Sequence, residues 1–156
     1  MRGGGRKRLR ALRALGPCGT PRRWCMFDST QIVHTEAGRR ALGQVATMIL
    51  DAWELQPAEQ AVLLGLHCDL VTRLPAYRAG AKPLPDLAGI LERASSLVAI
   101  HRALGSMFPR DSEERYEWVR QPNYRLCAGR APLDAMLMGG LPAITHLKLA
   151  VESLLG

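Results

Sequence analysis

Prolines and glycines cut this chain into short pieces, and most pieces between them carry apolar residues at helical spacing. Pro57, Pro75, Pro83, Pro85, Pro109, Pro122, Pro132 and Pro142 each mark a place where a helix begins or ends, because proline lacks the backbone N–H that an interior turn requires. Strands are a poor alternative: β-branched runs are few, and no alternating segment is flanked by turn dipeptides. The expected fold is all-α, with six or seven helices packed together.

From Glu36 to about Trp53 the residues Leu42, Val45, Ala46, Ile49, Leu50 and Trp53 form a one-sided stripe. Gln56–Pro57 restarts the chain with Pro57 at a first helical position, and the short helix Ala58 to Leu64 ends at Gly65. Asp69 to Leu74 starts on a capping residue and runs into Pro75. After Lys82-Pro83-Leu84-Pro85, Asp86 is a natural N-cap for the longest helix, Leu87 to about Phe108. Its apolar positions Leu87, Ile90, Leu91, Ala94, Leu97, Val98, His101 and Leu104 make a broad face. Asp111 to Arg120 is a short charged helix. Pro132 opens a helix that Gly139-Gly140 ends, and Pro142 opens the last one, with Ile144, Leu147, Val151, Leu154 and Leu155 recurring every three or four residues.

The net charge of +7 suggests nucleic acid until it is divided along the chain. Residues 1–25 hold eight basic and no acidic residues, which leaves 13 basic against all 14 acidic in the remainder. The basic character belongs to an arm over residues 1–35, and the body is nearly neutral. Such an arm is a solvated, disordered tail, a source of non-specific phosphate contacts, or an upstream stretch ahead of a true start at Met26. No apolar run approaches the roughly 18 residues of a membrane span. The cysteines Cys18, Cys25, Cys68 and Cys127 lack zinc or disulfide-framework spacing and read as reduced thiols in a cytoplasm. No metal or cofactor is expected. Catalysis is not expected either: no Ser/His/Asp or Cys/His set stands at motif spacing, no glycine-rich phosphate loop follows a strand, and Glu113, Glu114 and Glu117 suit a solvated helix face.

Two constellations carry information. In the first, Ala61-x-x-x-Gly65 followed by Asp69-Leu-Val-Thr-Arg is the skeleton of a helix-turn-helix, or simply a tight helical corner. As a DNA reader it would use Asp69 at the start of the second helix, Thr72 and Arg73 toward the groove, and Arg78, with Lys82, near phosphates. Pro75 cuts that second helix to under two turns. The second constellation reads Trp118-Val119-x-x-Pro122-Asn123, then Gly129-x-x-Pro132-Leu133-Asp134, then Gly139-Gly140 and an amphipathic final helix ending at Gly156.

With those residues, the sequence from about 48 to 156 resembles the Xre/MbcA/ParS family of antitoxins, partners of RES-domain toxins in type II toxin–antitoxin systems. The likeness is strongest from Leu91 onward, including Leu91-Glu-Arg-x-Ser95 and Ile100-x-x-Ala-Leu104. The resemblance implies an Xre-like helix-turn-helix region over 36–85 and a helical toxin-binding domain over 86–156. It implies a cognate RES toxin that consumes NAD and is similar to ADP-ribosyltransferases, with Trp118, Pro122, Asn123, Pro132 and Leu133 at the toxin-binding surface. It further implies a last helix that blocks the toxin's NAD cleft, where Lys148, Glu152 and Gly156 would share one face at intervals of four. The apolar excess of 87–108 predicts a homodimer, whose two-fold pairing would suit a palindromic operator and autoregulation. The rival expectation is a helix-turn-helix transcriptional regulator that keeps the helical domain for dimerisation and has no toxin.

Overall fold

The computed structural model describes residues 33–156 apart from Asp111, and the fold is helical throughout: among the described residues there are six α-helices, one 3₁₀ segment and no strand. The basic arm, except its last three residues, lies outside the described residues, with Met26, Cys18 and Cys25. Among the described residues no helix is long and apolar enough to cross a membrane.

Helix α1 (Glu36–Ala52) begins where the Thr35 hydroxyl accepts from Gly38 N–H at 3.0 Å. Its inner face is Ala46, Ile49 and Leu50, and Trp53 follows at its C-cap, all buried. Val45, expected in that stripe, faces out and is 43% exposed. Helix α2 (Pro57–Leu64) has proline in its first turn and the Gln56 N–H held by Glu59 Oε2 at 2.8 Å. It closes at Gly65, φ +70°, where Leu66 N–H donates to Ala61 O and Gly65 N–H to Val62 O.

The next element departs from expectation. Cys68–Arg73 is a 3₁₀ segment capped by the backbone of His67, so Asp69 is not the cap. A separate five-residue helix, α3 (Leu74–Arg78), carries Pro75 in its first turn. Proline cannot donate back to Val71, so the chain tightens before it and restarts on it.

Helix α4 (Ala88–Met107) is the central rod, packed chiefly on α6 (Pro132–Leu154) and α1 and also on α2 and α5 (Ser112–Arg120). Its N-cap is Leu87, without a side-chain cap bond. Asp86, expected in that role, is drawn away by Arg39, whose Nη1 meets Asp86 Oδ2 at 2.9 Å. Ala94, Leu97, Ile100 and Leu104 are fully buried. The apolar face expected to serve a homodimer is therefore covered by the chain's own helices, while Leu87 at its edge is 55% exposed. Truncating a leucine at such a site to alanine costs about 2–5 kcal/mol.

Helix α6 (Pro132–Leu154) has proline in its first turn and a break at Gly140, φ 60°, ψ −146°. The expected pair of helices is thus joined end to end through a kink that only glycine accommodates comfortably. Residues 33–156 form one compact unit, with a core running from Ala46 to Val151.

Candidate protein-interaction site

The connection between α5 and α6 is built around Asn123. Its Oδ1 accepts from the N–H groups of Arg125 (3.1 Å) and Leu126 (3.0 Å), an Asx turn. Its backbone O accepts from Cys127 (3.0 Å) and Gly129 (3.2 Å), and its N–H donates to Arg130 O at 2.9 Å. Ala128 and Gly129 both take positive φ, 50° and 84°, to close the loop. Asn123 acts on this loop's shape, and Pro122 before it is exposed. The large anchor expected at Trp118 is shared: Val119 is fully buried, and Trp118 is half-buried at the edge of the core.

Trp118 faces a cleft of about 580 Å³, lined also by Met107, Asn123, Arg125, Leu126 and Leu154. The walls come from the ends of three helices and from the Asn123 loop. Pro132 and Leu133 are buried at the start of α6, where they fix the helix in the core.

The far end of α6 changes character within one turn. Ile144, Leu147 and Val151 are buried, whereas Leu149, Leu154 and Leu155 are 59%, 49% and 47% exposed. Leu155 and Glu152 border a second cleft of about 440 Å³, floored by Ala99, Arg102, Ala103 and Ser106 of α4. The helix end therefore stands between two clefts with apolar side chains open to solvent. Lys148 is half-buried and Glu152 exposed, but Gly156 lies beyond the helix end at φ +98°. The expected run of three residues on one helical face stops at two.

The residues read as DNA contacts sit elsewhere, around the 3₁₀ segment. Asp69, Thr72 and Arg73 are exposed, and the Thr72 hydroxyl donates to Asp69 O at 3.3 Å. Arg78 is not free for a phosphate: its guanidinium forks onto Asp51, at 2.6 and 2.7 Å. Of the charges expected to face DNA, Arg78 is paired within the fold and Arg73 is exposed.

His101, expected on the buried face of α4, stacks on Tyr116 of α5 with centroids 6.2 Å apart and 15° between planes. Burial, and then the Arg115 guanidinium, holds its imidazole below the ordinary range. Arg115 is held by Phe108 O at 3.0 Å. Cys127 is half-buried, and burial raises its thiol; Cys68 is exposed.

Sequence reasoning missed Arg125, Leu126 and Met107 as cleft residues. The five residues after Asn123 read as a spacer, although an asparagine followed by two residues whose N–H groups it can reach is a turn signal. Compared with known proteins, the chain matches no family model and no curated protein.

Proposed function

We propose that this chain is an antitoxin that neutralises a cognate NAD-consuming, ADP-ribosyltransferase-like RES-domain toxin by seating the end of α6 in the toxin's NAD cleft. The observation that carries the reading is the exposed apolar end of that helix, Leu154 and Leu155, just after the buried Val151, with Leu149 exposed on the outer face between the buried Leu147 and Val151. Completing the burial of a half-exposed leucine contributes on the order of 1 kcal/mol, so Leu154 and Leu155 together outweigh an exposed Glu152 ion pair at about 0.2–1 kcal/mol. Glu152 would then set orientation against the cationic residues that a pyrophosphate-binding cleft provides. The resemblance in the Trp118–Asn123 and Gly129–Leu133 segments supports the same assignment.

A second reading, an Xre-like helix-turn-helix regulator, draws on Thr72 and Arg73, exposed after the Gly65 turn. The 3₁₀ form of Cys68–Arg73 gives it a short reading element, and the Arg78–Asp51 fork removes one phosphate contact. Autoregulation of the operon would rest on these residues and, with a palindromic operator, on a homodimer.

Co-expression with the product of the adjacent gene tests the proposal. The full chain is expected to restore growth and co-purify, while Leu154→Glu with Leu155→Glu restores growth poorly. Absence of both rescue and co-purification by the folded full chain would sink the antitoxin reading and turn attention to an operator-binding assay.

A further inference from the structure

We propose that the cleft between Trp118, Leu126 and Leu154, with Arg125 at its rim, is a receptor for an acidic, apolar peptide segment of the partner protein. This deepens the reading above and rests on it, since Leu154 belongs both to this cleft and to the helix end assigned to the toxin. A bulky apolar side chain of the partner fills the cleft, and a neighbouring carboxylate meets Arg125.

Three observations converge on this occupant. The first is shape. The walls are Met107, Trp118, Leu126 and Leu154, a set of adaptable apolar side chains with an aromatic, the composition that protein interfaces favour over the general surface.

The second is rigidity. Asn123 accepts or donates five of the bonds that fix the loop, from the Asx turn to the pairing with Arg130, and Arg130 N–H closes it onto Cys127 O, so the backbone of Arg125 and Leu126 is already ordered before a partner arrives. Prior ordering removes part of the entropy cost of association.

The third is charge. Arg39, Arg40, Arg78 and Arg120 each pair with a carboxylate of this chain. Arg125 is exposed and its side chain makes no hydrogen bond or ion pair with a described residue, and the Arg130 side chain has no carboxylate partner among the described residues, its Nη1 donating to the Met138 sulfur at 3.7 Å. Tyr124, 83% exposed, stands beside them with its ring against Gly129. An uncompensated arginine in the wall of an otherwise apolar cleft suits a carboxylate next to an apolar side chain. Nucleic acid fits less well, because an apolar cleft gives nothing to a phosphate and residues 26–156 carry 13 basic against 14 acidic groups.

Fluorescence anisotropy on the purified full chain tests this, using labelled pentapeptides Glu-Glu-X-Glu-Glu with X as Phe, Leu, Ala or Lys. Binding with X as Phe or Leu is expected to be at least tenfold tighter than with Ala, and to vanish when the flanking residues are lysine. Arg125→Glu should weaken it at least tenfold, Arg125→Lys much less, and Arg73→Glu not at all. Indifference to X, equal binding of lysine-flanked peptides, or preference for a labelled DNA duplex displaced by Arg125→Glu would overturn the proposal. If Arg125→Glu does not fold, the charge-reversed peptides decide. Peptide binding needs no toxin, so growth rescue without it removes this receptor alone, and peptide binding without rescue removes the antitoxin reading alone.

Discussion

Arg78 grips Asp51 through two bonds, Nε to Oδ2 at 2.6 Å and Nη2 to Oδ1 at 2.7 Å, and so ties α3 to the last turn of α1. Gln60 of α2 joins them, donating to Asp51 Oδ1 at 2.8 Å and to Leu55 O at 3.0 Å. One carboxylate thereby holds three helices at the corner where a helix-turn-helix was expected. The fork's side chains are 42% and 39% exposed, so solvent screening keeps the ion pair near the surface range, about 0.2–1 kcal/mol. A double-mutant cycle of Arg78→Ala and Asp51→Ala by urea unfolding is expected to give a coupling in that range that shrinks with added salt. A coupling of zero at low salt would mean the fork contributes nothing.

Two glycines should respond to alanine in opposite directions. Gly140 has φ 60° and ψ −146°, and a methyl there would meet Arg93 Nη2 no closer than 3.5 Å, so the cost is backbone strain and not crowding. Gly140→Ala is expected to destabilise by about 1–3 kcal/mol. Gly89 lies in regular helix with nothing within 4 Å of an added methyl, and Gly89→Ala is expected to stabilise by about 0.4–1 kcal/mol. Chemical denaturation of both variants checks the signs; equal effects would remove the kink's dependence on glycine.

His101 makes stability acid-sensitive. Its imidazole is held below the ordinary value near 6.5, first by burial and then by Arg115. The unfolded chain therefore binds a proton more readily than the folded one as pH falls below about 6.5. This contribution is fully present above that value and is lost as pH falls toward the lowered folded value. The stability difference between the parent chain and His101→Gln is expected to shrink from pH ~7 to pH ~5. A difference that stays level across the window would contradict the assignment to His101.

The helix boundaries were legible wherever a local signal decides them. Pro57 and Pro132 open helices, Gly65 closes one in the left-handed region, and Gly140 breaks α6, because each acts through its own backbone. What was not legible depends on partners distant in sequence. Asp86 fails to cap α4 because Arg39, far upstream, takes its carboxylate. Arg78 looked available to a phosphate because Asp51 is 27 residues away. The apolar face of α4 suggested a second copy because sequence alone does not reveal that α1 and α6 cover it from within the chain. At the candidate site Trp118 and Asn123 were singled out, but the cleft they border needed the loop's hydrogen bonds to bring Arg125, Leu126 and Leu154 beside them.

Under the proposed function, the end of α6 blocks an NAD-consuming partner. The most direct measurement is NAD consumption by the purified cognate RES-domain protein, titrated with the full chain and with Leu154→Glu/Leu155→Glu, both shown to be folded by circular dichroism. Loss of about 1 kcal/mol of apolar burial at each leucine, with two carboxylates to desolvate, corresponds to a tenfold or greater weakening. The parent chain is expected to stop NAD consumption near equimolar ratio, and the double variant to need at least tenfold more. Unchanged NAD consumption with the parent chain, or equal inhibition by the double variant, would contradict it.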